Sequence, residues 1–281
     1  MQDKRVVIAG CGFLGDTAAG LFFDDGWRVL GLCGTEESAA RLAGRPFPVR
    51  AADITQAVEV PEEWMRPDVL IHCASSGRGG EDAYRAVYRD GLERLMESFE
   101  SARVIFTGST SVYAQTDGSW VTEESAAVPD RATGKILLEA EGIALSAGGI
   151  VARLSGIYGP GRSVLLRKFL EGSAMLEAGG GRWINQIHRD DAARALLHLA
   201  TAECASGIYN VSDDVPATQR EVYGWIAQFL TRDLPPEGPA DLNRKRGWTS
   251  KRVSNAKLRG TGWAALFACY REALPGLVAA A

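Results

Sequence analysis

Residues 5–15 read Arg-Val-Val-Ile-Ala-Gly-Cys-Gly-Phe-Leu-Gly. The first five form a short β-branched, apolar run of the kind that makes a buried strand. Gly10, Gly12 and Gly15 then spell GxGxxG. Leu14, Ala18, Leu21 and Phe22 follow on one helical stripe, which predicts a helix over residues 13–25. A strand that turns at once into a helix through three glycines is the form of a nucleotide-binding βα unit. One glycine makes the tight turn, one lets a diphosphate approach the backbone, and one lets helix and sheet pack closely. The leading amides of the helix then offer N–H groups and partial positive charge to the diphosphate. The three glycines by themselves also suit a turn that binds nothing; the strand–turn–helix setting favours the cradle, with Phe13 and Leu14 completing it.

Working outward, strand-like runs at 28–32, 47–51, 69–72, 103–107 and 150–154 alternate with helical patterns. The clearest of those patterns are at 84–99 and 132–147. That alternation predicts an α/β fold with a doubly wound parallel sheet of Rossmann type. After Leu154 the pattern changes. Gly156–Gly161 (GIYGPG) is turn chemistry, 172–182 reads as a flexible connection, 190–202 as a helix with an acidic start, and 234–238 (LPPEG) as a loop. The expected organisation is a nucleotide-binding core over 1–155, rejoined by 184–205. A smaller C-terminal α/β lobe would be formed by 156–183 and 206–281.

The 281 residues carry 31 Lys+Arg and 35 Asp+Glu, a net charge of −4, which gives no global drive toward nucleic acid or anionic membranes. A hydrophobic share of 46% suits an ordinary globular chain. No apolar run is long enough to span a bilayer, and the glycines and Asp16 make the start a poor signal peptide. The five cysteines (11, 33, 73, 204 and 269) show neither CxxC nor zinc-pair spacing, so no metal is expected. Reduced thiols in the cytoplasm are the plain reading.

The second predicted strand ends in Cys33-Gly34-Thr35, with no carboxylate before Glu36. An NAD site usually places an acid there to hold the ribose 2′-OH. Its absence removes a repulsion against a 2′-phosphate, so the cofactor is read as NADP or NAD, with NADP favoured. Arg41 is the nearest downstream cation. Asp53-Ile54 after the third strand has two readings, an adenine contact or the N-cap of a helix. Cys73-Ala74-Ser75 after the fourth strand offers small residues across which a dinucleotide would lie. Cys11, Cys33 and Cys73 all fall at strand ends and read as small buried thiols.

Six segments in order resemble the extended short-chain dehydrogenase/reductases, the NAD-dependent epimerase/dehydratase group. They are GCGFLG at 10–15, FTGSTSVYA at 106–114, RLSGIYGPG at 153–161, INQIHRDDAA at 184–193, GIYNV at 207–211 and KRVSNAKL at 251–258. The resemblance implies that the smaller lobe takes a small-molecule substrate and that homodimers form through the two long helices. It also implies that Ser109, four residues before Tyr113, orients a substrate hydroxyl. A YxxxK pair would then supply a tyrosine base and a lysine that assists it and holds the nicotinamide ribose.

The chain departs from that pattern at its centre. Lys135 stands at the lysine position, but four residues earlier stands Arg131 rather than tyrosine. Arginine stays protonated near neutral pH and is no general base, so the chain is similar to atypical members lacking the tyrosine. Tyr113, Tyr158, His188 and Lys135 are candidates for the missing proton transfer. Each has a plainer reading: a packed aromatic, a loop aromatic, a structural histidine and a ribose ligand. Arg131 suits an anionic substrate or a solvated helix start, and Arg162 and Arg167 a substrate phosphate or carboxylate or plain surface charge. Trp183 suits a pocket wall or a lobe anchor. The expected function is an NAD(P)-dependent oxidoreductase or epimerase/dehydratase acting on a hydroxyl or keto carbon, conceivably of a sugar nucleotide. The alternatives are a catalytically silent NAD(P)-binding sensor and, more blandly, a scaffold with an empty loop.

Overall fold

The structure is a computed structural model that describes residues 4–77, 79–101, 103–242 and 248–280. Seven strands form the main sheet: β1 (Arg5–Ala9), β2 (Arg28–Cys33), β3 (Val49–Ala51), β4 (Val69–His72), β5 (Arg103–Ser109), β6 (Ile150–Leu154) and β7 (Gly207–Val211). Their order is β7-β6-β5-β4-β1-β2-β3. The pairs β1–β2, β2–β3, β1–β4 and β4–β5 run parallel, with Val6 opposite Val29 and Val69, and Leu70 opposite Val104. Strands covered on both faces read as near-continuous apolar runs. Val6 to Ala9 and Leu70 to His72 are accordingly all fully buried. This is the doubly wound Rossmann-type sheet that the alternation predicts.

The chain divides into two compact units. The first holds 1–109, 132–153 and 193–209; the second holds 110–131, 154–192 and 210–281. Segments 110–131 and 184–192, placed in the core by the sequence pattern, belong to the second unit. The rejoining segment begins at Ala193 and runs to Tyr209. The second unit has its own core, in which Tyr158, Phe169, Tyr223, Ile226 and Tyr270 are buried together.

Three local expectations are corrected. The pattern at 84–99 does not make one regular helix. It is α-helical over Glu81–Tyr84, π-helical over Arg85–Asp90, and α-helical again over Gly91–Ser98. A π-turn frees carbonyls from the usual ladder, and here the Val87 oxygen meets Nε2 of the fully buried His72 at 2.9 Å. Residues 172–182 are not a flexible connection. Leu176–Glu177 pairs in parallel with Glu237–Gly238, so the loop read at 234–238 also ends in a strand. Gln219 clamps the first of these strands, accepting from Glu177 N at 2.8 Å and donating to Met175 O at 3.1 Å. No helix opens at Ile54; Asp53 instead accepts from Thr55 N and Thr55 Oγ1 at 2.9 and 2.8 Å, closing a local turn.

One buried charge pair anchors the first unit. Arg153 on β6 donates Nε to both Glu141 carboxylate oxygens at 3.1 Å and Nη2 to Oε2 at 2.6 Å. Glu141 sits on the helix Ala132–Ser146, and both side chains are almost fully buried. Gly108 on β5 is what admits the carboxylate, because a Cβ there would lie 2.8 Å from Glu141 Oε1. Burial pushes the Glu141 carboxyl up, against the pull of Arg153. Removing one member leaves an uncompensated buried charge. Glu141→Leu alone is therefore expected to cost ~3–5 kcal/mol in urea unfolding, and Glu141→Leu with Arg153→Met to recover most of it.

Candidate functional site

The residues assigned to the dinucleotide and to its chemistry all lie in the first unit. Gly10 adopts φ +95°, a region that only glycine enters without strain. A Cβ there would meet Ala74 N at 2.3 Å, and one at Gly15 would meet Gly10 O at 2.3 Å. The turn after β1 is thus packed backbone to backbone against the segment leaving β4. Gly12 is different: a Cβ there would have no atom within 4 Å. Two glycines are required by the fold, and the third leaves open the space a diphosphate would approach. Helix α1 (Gly15–Asp24) has no side-chain cap at its N-terminus, so nothing in its N-cap side chain competes with an anion there. The cradle fits a dinucleotide diphosphate.

The rim of the cradle is less simple than the sequence suggests. Cys33 is buried and donates its thiol to Cys11 O at 3.4 Å, so its side chain is turned inward rather than toward a ribose. Thr35 Oγ1 accepts from Ser38 N at 3.2 Å and caps helix α2 (Glu36–Ala40). Burial pushes the Cys11 thiol up to about 12, with Asp16 and Cys33 adding to it, and raises Cys33 and Cys73 as well. These thiols stay protonated at neutral pH, the inert state. Asp16 in the first turn of α1 is held by Arg45, whose Nε lies 2.8 Å from Oδ1. Arg41 lies at the exposed end of α2, bonded to Glu37 and Ser38. Asp53 is exposed with one oxygen used locally, Ile54 is buried beneath Gly91, and Ser75 Oγ accepts from Gly77 N at 3.3 Å. Ser109 ends β5 with 7% exposure, and Lys135 is exposed in the first turn of Ala132–Ser146.

The residues proposed for substrate lie in the second unit, and two of them do not suit that role. Tyr113 is fully buried and donates its hydroxyl to Asn210 Oδ1 at 2.9 Å, which makes it a packing residue. Tyr158 is also buried, with its ring 4.8 Å from Tyr270 and 5.4 Å from His188. Burial, and then the charge of Asp213, push its phenol pKa up, so it is no base. His188 is structural too: Nδ1 accepts from Asp190 N at 3.2 Å, and burial lowers its pKa. Arg131 and Arg162 are exposed. The Arg131 Nη2 donates to Leu242 O at 3.1 Å, and the Arg162 backbone closes the GPG turn with Gly159. Trp183 stacks on Arg252, 5.0 Å from ring centre to guanidinium carbon.

Sequence reasoning missed a buried acidic group in the second unit. Asp191 has 0% exposure and accepts from Leu266 N and Phe267 N at 2.6 and 3.1 Å. Asp213 is 3% exposed, and among the described residues its Oδ1 has no hydrogen-bond partner, nor has the Tyr158 hydroxyl. Only the acidic pair in IHRDD and the Ser-Asp-Asp of 212–214 mark these residues in the sequence, and the same letters suit a solvated turn.

A sequence profile of the NAD dependent epimerase/dehydratase family matches residues 6–212. The chain belongs to this family. Within it, the fold is that of the extended short-chain dehydrogenase/reductases. The protein YeeZ of Escherichia coli is 28% identical over 261 residues, covering 87% of this chain and 90% of YeeZ. A Methylobacillus flagellatus structure assigned to the NAD-dependent epimerases/dehydratases superposes with a TM-score of 0.82 at 27% identity, covering 99% of each chain. The UDP-glucuronic acid 4-epimerase of Bacillus cereus, solved with UDP-glucuronic acid and NAD, has a TM-score of 0.78 at 15% identity over 97% of each chain, a likeness of fold.

Three outcomes are expected from this geometry. Gly12→Ala should leave stability within about 1 kcal/mol of the parent, yet weaken NADH or NADPH binding roughly tenfold or more in a fluorescence titration, the scale of a lost charge-assisted hydrogen bond. Gly10→Ala, by contrast, should cost more than about 3 kcal/mol, because the backbone itself must move. The Asp213 carboxyl is raised well above its usual range by burial, with Asp214 and Asp191 adding repulsion. Below about pH 4 both folded and unfolded chains hold that proton. As pH rises the unfolded chain releases it first, so this contribution to stability declines. Asp213→Asn removes the slope, and the melting temperature of the variant relative to the parent should climb between about pH 5 and pH 8.

Proposed function

We propose that this family member is an NAD(P)-dependent enzyme of the epimerase/dehydratase type, acting on a hydroxyl or keto carbon of a small molecule. The observation that carries this reading is the cradle at Gly10–Gly15, closed by backbone at Gly10 and Gly15 and open at Gly12. A bound nicotinamide supplies a hydride acceptor or donor. Ser109, at the carboxyl end of β5, is assigned to orienting the substrate hydroxyl. Exposed Lys135, whose ammonium makes no hydrogen bond or ion pair among the described residues, is assigned to the cofactor ribose. A sugar nucleotide is the substrate class we favour, supported by the UDP-glucuronic acid that the Bacillus cereus epimerase binds. The dinucleotide we favour is NADP, because β2 ends in Cys33-Gly34-Thr35 without a carboxylate.

The proton relay is non-standard. Arg131 occupies the position of the usual tyrosine and is protonated, while Tyr113 and Tyr158 are buried and Tyr113 is committed to Asn210. Those commitments are also what favours a second reading, a dinucleotide-binding sensor without turnover. The two are separated by incubating the protein with 4-deuterated NADPH or NADH and a panel of keto and hydroxy sugar nucleotides. Deuterium recovered in a sugar supports the enzyme; tight dinucleotide binding with no transfer across the panel supports the sensor. Lys135→Ala is expected to weaken dinucleotide binding roughly tenfold, the scale of one hydrogen bond from a charged donor, with the melting temperature unchanged. An unaltered affinity would remove Lys135 from the site.

A further inference from the structure

In the second unit, Lys251 carries a charge for which the described residues supply no counter-charge. Its side chain is 4% exposed overall as a residue, and its ammonium makes one hydrogen bond, to Thr249 Oγ1 at 2.9 Å. No carboxylate comes within ion-pair distance of it among the described residues, and the charged neighbour that acts on it most is another cation, Arg182. Arg182 faces Glu177 at 3.9 Å, and both of those side chains are largely buried. Buried charges in proteins are paired or they serve a ligand.

The position of Lys251 is built rather than accidental. On one side, Ser250 N donates to Gln115 O at 3.0 Å, Ser250 O accepts from Gly118 N at 2.8 Å, and Ser250 Oγ accepts from Trp183 N at 3.2 Å. On the other, Asn185 bridges the strand, donating Nδ2 to Lys251 O at 2.9 Å and accepting from Val253 N at 2.7 Å. The adjacent Arg252 is held between two rings. Its guanidinium carbon lies 5.2 and 5.0 Å from the rings of Trp120 and Trp183, and its Nε donates to Gly118 O at 2.8 Å. On the same short segment the Trp248 Nε1–H is buried with no acceptor among the described residues. A pinned backbone thus presents an ammonium that has been desolvated and not neutralised. Burial and Arg182 push its pKa down to about 8, so part of the population is ready to take up a proton when an anion arrives.

We propose that Lys251, with Arg182 beside it, forms an anion subsite of the second unit that takes a phosphate or carboxylate group of a ligand. An ammonium with two hydrogens to spare among the described residues suits a multi-oxygen anion. The subsite does not depend on the dinucleotide reading, since every residue in it belongs to the second unit.

The test uses the full chain and two probes, inorganic phosphate and citrate, each against potassium chloride at matched ionic strength. The parent is expected to gain melting temperature with rising phosphate or citrate. Lys251→Met is expected to start higher in chloride, because the unpaired charge is gone, and to bind the effective probe at least tenfold more weakly. Any increment that persists in the variant belongs to the glycine cradle. A second readout on the unaltered chain is the rate of reductive methylation of Lys251, followed by peptide mass spectrometry. The effective probe should slow it at least fivefold, and should not slow surface lysines such as Lys168 and Lys257. Phosphate alone being effective assigns a phosphoryl ligand; citrate alone assigns a carboxylate. Equal increments in parent and variant, or no protection of Lys251 by either probe, would overturn the proposal.

Discussion

The structure depends first on backbone meeting backbone at the end of β1. At Gly10 the chain turns with φ +95°, against Ala74 as it leaves β4, and Gly15 lies against the Gly10 carbonyl. Neither contact tolerates a side chain. Their effect is to bring the uncapped amides of α1 to the strand ends, where open α/β sheets bind their ligands. Gly12 has no packing reason to be glycine. A glycine that the packing leaves free is a clearer pointer to function than the two that the fold itself demands.

Buried charge is handled in two opposite ways in this chain. Arg153 and Glu141 are brought together with several hydrogen bonds, in a space that Gly108 leaves open. That pair specifies how the helix Ala132–Ser146, which carries Lys135, sits on the sheet. In the second unit, Asp213 and Lys251 are buried without a partner of opposite sign among the described residues, and burial moves each toward its neutral form. A protein stable by only a few kcal/mol does not carry such groups without compensation elsewhere. Their separation into carboxyl and ammonium, each on its own pinned segment, fits a unit built around a polar ligand.

The aromatic hydroxyls illustrate how far spacing can be read. Counting from Tyr113 selected Ser109, which the structure places at the end of β5. The same counting said nothing of where the Tyr113 hydroxyl goes, and Asn210, 97 residues away, takes it. Tyr158, in a glycine-rich turn that reads as exposed loop, is buried because Tyr270 and His188 close over it from later segments. The π-helical stretch at Arg85–Asp90 was likewise hidden. Its apolar stripe resembles that of any amphipathic helix, and the partner of its freed carbonyl, His72, comes from a different strand.

What the sequence determined by itself was local and periodic: the strand–glycine–helix unit at 5–24, the alternation that makes a parallel sheet, and the replacement of tyrosine by Arg131. These follow from sterics and from side-chain period, which act between neighbours in the chain. What only the tertiary structure decided was which polar groups are desolvated and which find partners. The Lys251 ammonium, the Asp213 carboxyl and the inward Cys33 thiol have ordinary letters in ordinary surroundings. Their chemistry is set by segments tens of residues distant that exclude water from them, and exclusion of water is a property of packing that no spacing of residues records.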